Sequence, residues 1–272
     1  MKQRINQTAS CIFLGIFFIC TIYTVVSCNN ADNSTKIYEN MQSISTTENS
    51  ENNAVLEISS DTAVQETTTA NPIAELIPTD KDIYFQTLWD TNTDIYAYIY
   101  IPNTNVDYPV LRHPSNNLYY LEHNIDGSKG LPGCIYTENY NSIDFDDPVT
   151  LMYGHNMKNG SMFATLHNFE NTDFFDENRY IFIYTPYNTY VYEIFAAVTY
   201  NDNHILKAFD FEQEKEFDTF IESLRSVRDM NAHLMDNIDV SYEDKVLVLS
   251  TCTSASDKRY LVCAVMIGAL GD

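Results

Sequence analysis

The chain is poor in basic residues. Its 272 residues include 15 lysines and arginines against 38 aspartates and glutamates, which gives a formal net charge of −23 at neutral pH. Nucleic acids and anionic membrane surfaces are bound mainly through clustered Lys and Arg side chains. The composition therefore argues against both kinds of partner, whereas a cationic peptide or an amine would be attracted.

The chain also lacks an evident internal repeat and a metal-binding motif. Its acidic cluster at 144–147 does not have the ligand spacing of an EF-hand loop, so we expect no required metal and no cofactor. After residue 28 only Cys134, Cys252 and Cys263 remain. Three cysteines give no convincing disulfide framework, and we predict no disulfide.

The N-terminal segment 1–28 has the pattern of an export signal. It carries two basic residues and no acidic ones, followed by an apolar run from Cys11 to Val26. This run is near the lower length limit for spanning a bilayer, and its end at Cys28 loosely resembles a lipobox, where a bacterial lipoprotein is cut and acylated. We expect an uncleaved signal anchor rather than a lipoprotein. Either form would tether the chain to the extracytoplasmic face of the cell membrane.

The next segment, residues 29–75, is dominated by Asn, Ser, Thr, Glu and Ala and has too few large apolar residues to build a core. We predict a flexible stalk that gives the folded part reach. The remainder, residues 76–272, is long enough for one domain with an ordinary core.

This domain is rich in residues that favour β-strands. Runs of Tyr, Ile, Val and Phe predict eight strands, and the pattern alone indicates a sandwich or a barrel. The predicted strands are 95–101, 108–112, 134–137, 149–153, 180–185, 190–200, 246–251 and 260–267.

The clearest helix lies between the sixth and seventh strands. Its apolar residues follow the i, i+3, i+4, i+7 spacing of one buried face, and Asp210 with Gln213 forms a capping pair at its predicted start. A second helical segment is expected at 82–90. The apolar face of the first helix comprises Phe217, Phe220, Ile221 and Leu224.

Three residue types used in thiol acyl transfer lie at the ends of predicted strands. The run 246–251 delivers Cys252, Arg259 begins the next apolar strand, and the run that ends at residue 153 is followed by Gly154 and His155. A thiolate is a nucleophile, an imidazole exchanges protons with it and with a leaving amine, and a fixed cation stabilises an oxyanion. We therefore predict a catalytic site formed by His155, Cys252 and Arg259.

At these motifs the chain resembles the sortases, the cysteine transpeptidases of Gram-positive cell surfaces, and class B in particular. Ser250-Thr-Cys252 with Arg259 is similar to the family's Thr-Cys and downstream Arg signature, and residues 151–163 are similar to its active-site His segment. Residues 101–111 resemble the strand and turn that open the core. The interval from Cys252 to Arg259 is short for class B, which predicts a differently shaped substrate groove.

The resemblance implies a mainly β fold, namely a closed eight-stranded barrel with N-terminal helices and a long helix between strands 6 and 7. It further implies that Cys252 attacks the threonine carbonyl of a C-terminal sorting motif while His155 protonates the departing amine and Arg259 binds the oxyanion or the peptide backbone. An amine of a cell-wall precursor or of peptidoglycan then accepts the surface protein. By position, the residues expected to contact the motif are Ser250, Asn117 and Leu121.

Three alternatives stay open. A pilin-polymerising sortase would use a lysine side chain as acceptor, although the Asp-Pro-aromatic lid motif of class C is not found before the core. A non-catalytic surface lipoprotein with a sortase-like barrel is suggested by Cys28. A papain-like hydrolase has its cysteine at a helix start and before the histidine, whereas here His155 precedes Cys252. The cysteines and histidines to which no motif assigns a role are expected to be structural: Cys134, Cys263, His113, His123, His167, His204 and His233.

Overall fold

The computed structural model describes residues 32–43 and 71–271. The predicted export signal at 1–28, with Cys28, lies outside the described residues, as does segment 44–70 of the predicted stalk. In the part that is described, no helix combines the length and the apolar character that a membrane span requires.

The strands are β1 Ile95–Tyr100, β2 Asp107–Leu111, β3 Ile135–Thr137, β4 Val149–Tyr153, β5 Tyr180–Tyr184, β6 Asn188–Asn201, β7 His233–Leu234, β8 Val246–Cys252 and β9 Lys258–Gly271. Eight of them close into a barrel, as the resemblance implies. They are hydrogen bonded in the order β5-β1-β2-β3-β4-β8-β9-β6, and the pairing of β5 with β6 completes the ring. The pairs β2–β3 and β4–β8 are parallel, and the other pairs in the ring are antiparallel. A short strand, β7, adds to β6.

Both faces of β8 are buried, which explains why its sequence is continuously apolar. Leu247 and Leu249 belong to the cluster that fills the barrel, whereas Val246 and Val248 pack in a second cluster beneath a helix. A strand with one solvated face would alternate apolar and polar residues. The double burial holds the strand that carries Cys252 firmly between two cores.

The covering helix, α6, spans Glu214–Arg225 and is the helix predicted between strands 6 and 7. Its four predicted apolar residues are all buried in the second cluster. The predicted capping pair is wrong in detail, because the helix begins after Gln213, whose side chain donates to Asp210 Oδ2 at 2.5 Å and makes no cap. The other helical segments are α1 at 32–43, α2 Phe85–Thr91, α3 Tyr119–Glu122, a 3-10 helix Ala164–Glu170, α4 Thr172–Glu177 and α5 Ile205–Ala208.

Helix α1 differs from the flexible stalk predicted for 29–75. Its buried residues Ser34, Tyr38 and Met41 recur at helical spacing and form one face against the barrel. The Tyr38 hydroxyl donates to the carbonyl oxygen of Gly133 at 3.2 Å, and Gln42 Nε2 donates to that of Asp107 at 2.7 Å. A few apolar residues suffice here because the barrel supplies the rest of the core.

Candidate active site

Neighbouring strands bring the three predicted catalytic residues to one edge of the barrel. Cys252 ends β8 and lies directly opposite Arg259 in β9. Strand β4 runs parallel to β8 with Tyr153 paired to Ser250, so the turn after β4 delivers His155 to the same edge. His155, Cys252 and Arg259 line a common cleft of about 240 Å³. Their roles in catalysis remain predictions.

The turn that carries His155 is fixed by close packing and by β8. A Cβ atom at Gly154 would lie 2.5 Å from Ile135 Cδ1 and 2.7 Å from the Phe163 ring, so the turn requires glycine. The Thr251 hydroxyl donates to the Gly154 carbonyl oxygen at 2.8 Å. This contact gives Thr251 a physical role, since it joins the strand that carries Cys252 to the turn that carries His155.

The imidazole of His155 is half-buried and oriented by the main chain. Its Nε2 atom lies 2.8 Å from the carbonyl oxygen of Leu121. Because a carbonyl oxygen only accepts hydrogen bonds, Nε2 carries the proton in this contact. In this arrangement Nδ1 is the ring nitrogen that is not bonded to the Leu121 carbonyl.

Cys252 is the accessible thiol among the described cysteines. It is exposed, whereas Cys134 and Cys263 are buried, and none of the three is in a disulfide. Burial raises the pKa of Cys134 to about 12, and burial also raises the pKa of Cys263. Since the thiolate is the reactive form, both buried cysteines are inert at neutral pH.

The guanidinium of Arg259 is held by its own loop. Its Nη1 atom donates to the carbonyl oxygens of Lys258 at 2.8 Å and Ser256 at 3.3 Å. Within the described residues, no carboxylate lies within ion-pairing distance of Arg259. The short loop after Cys252 therefore orients the guanidinium through Nη1.

Two of the three predicted substrate contacts line the cleft. Ser250 and Leu121 do so, but Asn117 does not. The Asn117 side-chain oxygen instead accepts a hydrogen bond from the backbone N–H of Asn139 at 2.9 Å. The neighbouring Leu118 lines the cleft instead and is 58% exposed. An apolar side chain so exposed at the rim is suited to contact a bound peptide.

The cleft wall also contains a buried acidic side chain for which the sequence has no motif. Glu138 is only 4% exposed, and its carboxylate lies 2.7 Å from His204 Nε2 and accepts from the Tyr153 hydroxyl at 3.3 Å. The distance to His204 fits an ion pair, although the ring orientation is outside hydrogen-bond geometry. Burial, reinforced by the charge of Glu138, raises the pKa of Tyr153. No sequence motif links these residues, and only the fold brings them together.

The comparisons with known proteins agree with this geometry. The family model described as the Sortase domain matches residues 99–267. Sortase B of Listeria monocytogenes is 29% identical over 210 residues, which cover 77% of this chain and 81% of that protein. Sortase B of Staphylococcus aureus is 27% identical over 188 residues, covering 67% and 74%.

A solved structure shows the same similarity in three dimensions. The X-ray structure of Clostridium perfringens sortase B superposes with a TM-score of 0.59 at 29% identity, over 68% of this chain and all of that one. The barrel, the cleft at its edge and the matched domain lead to one conclusion: the chain belongs to the sortase family of cysteine transpeptidases and, within that family, is most like class B.

Proposed function

We propose that this transpeptidase cleaves a C-terminal sorting motif of surface proteins after a threonine and joins the new carboxyl end to a cell-wall amine. The main support for this proposal is that Cys252, His155 and Arg259 line one cleft, at the barrel edge formed by β4, β8 and β9. The exposed Leu118 and Leu121 at the rim of the cleft support binding of an extended peptide.

In the first step the Cys252 thiolate attacks the carbonyl carbon of the threonine. The carbonyl electron pair moves to oxygen, and donors of the Arg259 guanidinium stabilise this oxyanion. When the intermediate collapses, the carbon–nitrogen bond breaks, and His155 as imidazolium gives its proton to the departing amine. The product of this step is a thioester between Cys252 and the threonine.

In the second step an amine of a cell-wall precursor attacks the thioester. His155, now neutral, takes the proton from the attacking amine, and Cys252 leaves as a thiolate. An amide joins the surface protein to the wall precursor, and water in place of the amine gives slow hydrolysis. The net negative charge of the chain favours the approach of an amine nucleophile.

A transfer assay tests the proposal. The full-length chain would be incubated with peptides of the form x-Pro-x-Thr-x and with amine acceptors, and the products would be measured by mass spectrometry. We expect a new amide between the threonine and an acceptor for at least one peptide, and none with Cys252→Ala. Cleavage without transfer to any amine would instead indicate a protease, and an unreactive Cys252 would support the non-catalytic alternative.

We further propose that residues 1–28 hold the enzyme at the outer face of a Gram-positive cell membrane as a signal anchor. The support is the apolar run from Cys11 to Val26 behind two basic residues. Cell fractionation tests this, with Cys28→Ala as the control. Retention of Cys28→Ala in the membrane is the expected result, and its release would indicate lipid attachment at Cys28.

A further inference from the structure

The main-chain carbonyl of Cys252 points into a polar cluster that the mechanism above does not use. Two side chains approach its oxygen, Asn156 through Nδ2 at 3.0 Å and His167 through Nε2 at 3.0 Å. Asn156 follows His155 in the turn after β4, whereas His167 belongs to the 3-10 helix Ala164–Glu170. Elements far apart in sequence therefore converge on the backbone of the nucleophile.

His167 is held in this position from two sides. Its Nδ1 atom lies 2.6 Å from Glu170 Oε1, and its ring stacks on the buried ring of Tyr260 with 4.8 Å between the centroids. Both His167 and Glu170 are half-buried. A ring fixed by a carboxylate and by an aromatic face loses little freedom when it binds the Cys252 carbonyl.

The hydrogen-bonding partners determine where the protons lie. The Glu170 carboxylate and the Cys252 carbonyl both only accept, so His167 donates to both when it is an imidazolium. In the neutral form with the proton on Nδ1, the Nε2 atom instead accepts from Asn156 Nδ2, which lies 3.0 Å away. The Cys252 carbonyl therefore has two donors in the charged state and one in the neutral state.

Hydrogen bonds to the Cys252 carbonyl can affect the position of the Cys252 backbone because Cys252 is the last residue of β8. The pairing of β8 with β9 ends at Cys252 and Arg259, and the side chain of Cys252 is exposed. In the described ladder no pair follows Cys252 and Arg259, so the Cys252 carbonyl lies where the strand pairing ends. Hydrogen bonds to its carbonyl set the direction of the Cys252 backbone and hence the position of Sγ.

We propose that His167, held by Glu170, is a positioning residue that fixes the Cys252 backbone for attack on the substrate carbonyl. This inference rests on the proposed function, in which Cys252 is the nucleophile. Besides Glu170, the charged or titratable groups that surround the pair are Cys252, Tyr260, His233, which bonds the Glu170 carbonyl, and Asp229, whose charge acts on Tyr260.

Matched substitutions at His167 separate its two contacts. The amide nitrogen of Gln can replace Nε2, so His167→Gln retains a donor to Cys252 but loses the contact to Glu170. The amide of Asn occupies the Nδ1 position, so His167→Asn retains the Glu170 contact and loses the one to Cys252. His167→Ala removes both. The rate of thioester formation and KM would be measured for each variant of the full-length chain with a cleaved peptide, together with the melting temperature.

We expect His167→Gln to keep the rate of thioester formation within about threefold of the original chain, because the donor to Cys252 persists. For His167→Asn and His167→Ala we expect a loss of about tenfold or more at unchanged KM, because a misplaced nucleophile slows the reaction without weakening peptide binding.

Two results would overturn the inference alone. One is an unchanged rate in His167→Ala, and the other is an equal loss in all three variants that follows a fall in melting temperature, which would indicate only a packing role. If the original chain formed no thioester with any peptide, the proposed function would be wrong. This failure differs from failure of the His167 inference, because it is seen in the original chain before any variant is compared.

Discussion

Exposure separates the three described thiols at the scale of single residues. Cys252 ends a strand at the mouth of the cleft, whereas Cys134 and Cys263 lie within the core. A lone cysteine after an apolar strand is more often a small hydrophobic residue than a nucleophile. Here Cys252 is the last residue of β8 and the one residue of that strand whose side chain is exposed, which leaves its thiol accessible.

Because Cys252 is exposed and the other two described thiols are buried, we predict that a thiol reagent labels Cys252 selectively. In the chain 29–272, which retains α1 and contains only these three cysteines, a thiol reagent at pH 7 to 8 should modify one site. Because the pKa of Cys134 is raised to about 12 and that of Cys263 is also raised, both stay protonated across this range and react only after unfolding. Mass spectrometry would show one adduct in the native original chain and none in native Cys252→Ala. In denaturant the original chain would carry three adducts. Rapid native labelling of Cys134 would contradict the assigned burial.

A second prediction concerns the guanidinium group of Arg259. Arg259→Lys should lower kcat by about 10²-fold, because an ammonium on a flexible stem cannot reproduce the fixed fork of donors toward the oxyanion. The matched control is Lys258→Gln, which removes an exposed positive charge at the adjacent position. Steady-state kinetics with a cleaved peptide would measure both. Equal activity of Arg259→Lys and the original chain would exclude a role for guanidinium geometry.

Helix α1 provides the clearest test at the scale of secondary-structure elements. Tyr38 is buried against the barrel and donates to the Gly133 carbonyl. Replacing it by Ala should lower the free energy of unfolding by about 3 to 5 kcal/mol, while Tyr38→Phe should lose only about 1 kcal/mol for the hydrogen bond.

Denaturant unfolding of the chain 29–272 measures these differences. Glu39→Ala is the control, because Glu39 is exposed on the same helix and its loss should change stability little. If Tyr38→Ala were as stable as Glu39→Ala, α1 would not be docked in solution, and the flexible stalk predicted for 29–75 would apply to this segment too.

Strands and helices with clear apolar patterns are predicted from the sequence. A very short strand, and a helix whose few apolar residues pack on another part of the fold, are not. The eight barrel strands lie in runs rich in Tyr, Ile, Val and Phe, and α6 has the apolar spacing of a helix, so the sequence predicts all of them. Strand β7 has two residues, too few for any pattern, and α1 shows its buried face only when the barrel is present. The site shows the same difference. Local motifs predict His155, Cys252 and Arg259, whereas His167 lies 85 positions from Cys252 and contacts it only in the folded chain.

At the scale of the whole molecule, docked α1 changes how a membrane anchor would act. A signal anchor that ends at residue 28 would be separated from residue 32 of α1 by three residues, and three residues of any conformation reach at most about 10 Å. The segment that follows α1, 44–70, would then be a connection between α1 and the barrel rather than a tether. In this arrangement the catalytic domain would stay close to the bilayer, where a membrane-bound wall precursor is within reach.

Intact-mass measurement of the protein during reaction with a cleaved peptide would show whether Cys252 forms the thioester. We expect an increase equal to the peptide up to and including its threonine, located at Cys252 by proteolytic mapping and removed by an amine acceptor. The adduct should be absent in Cys252→Ala and should accumulate when no acceptor is present. Peptide cleavage that persists in Cys252→Ala would contradict the account, because the threonine would then be released without passing through the thiol at the end of β8.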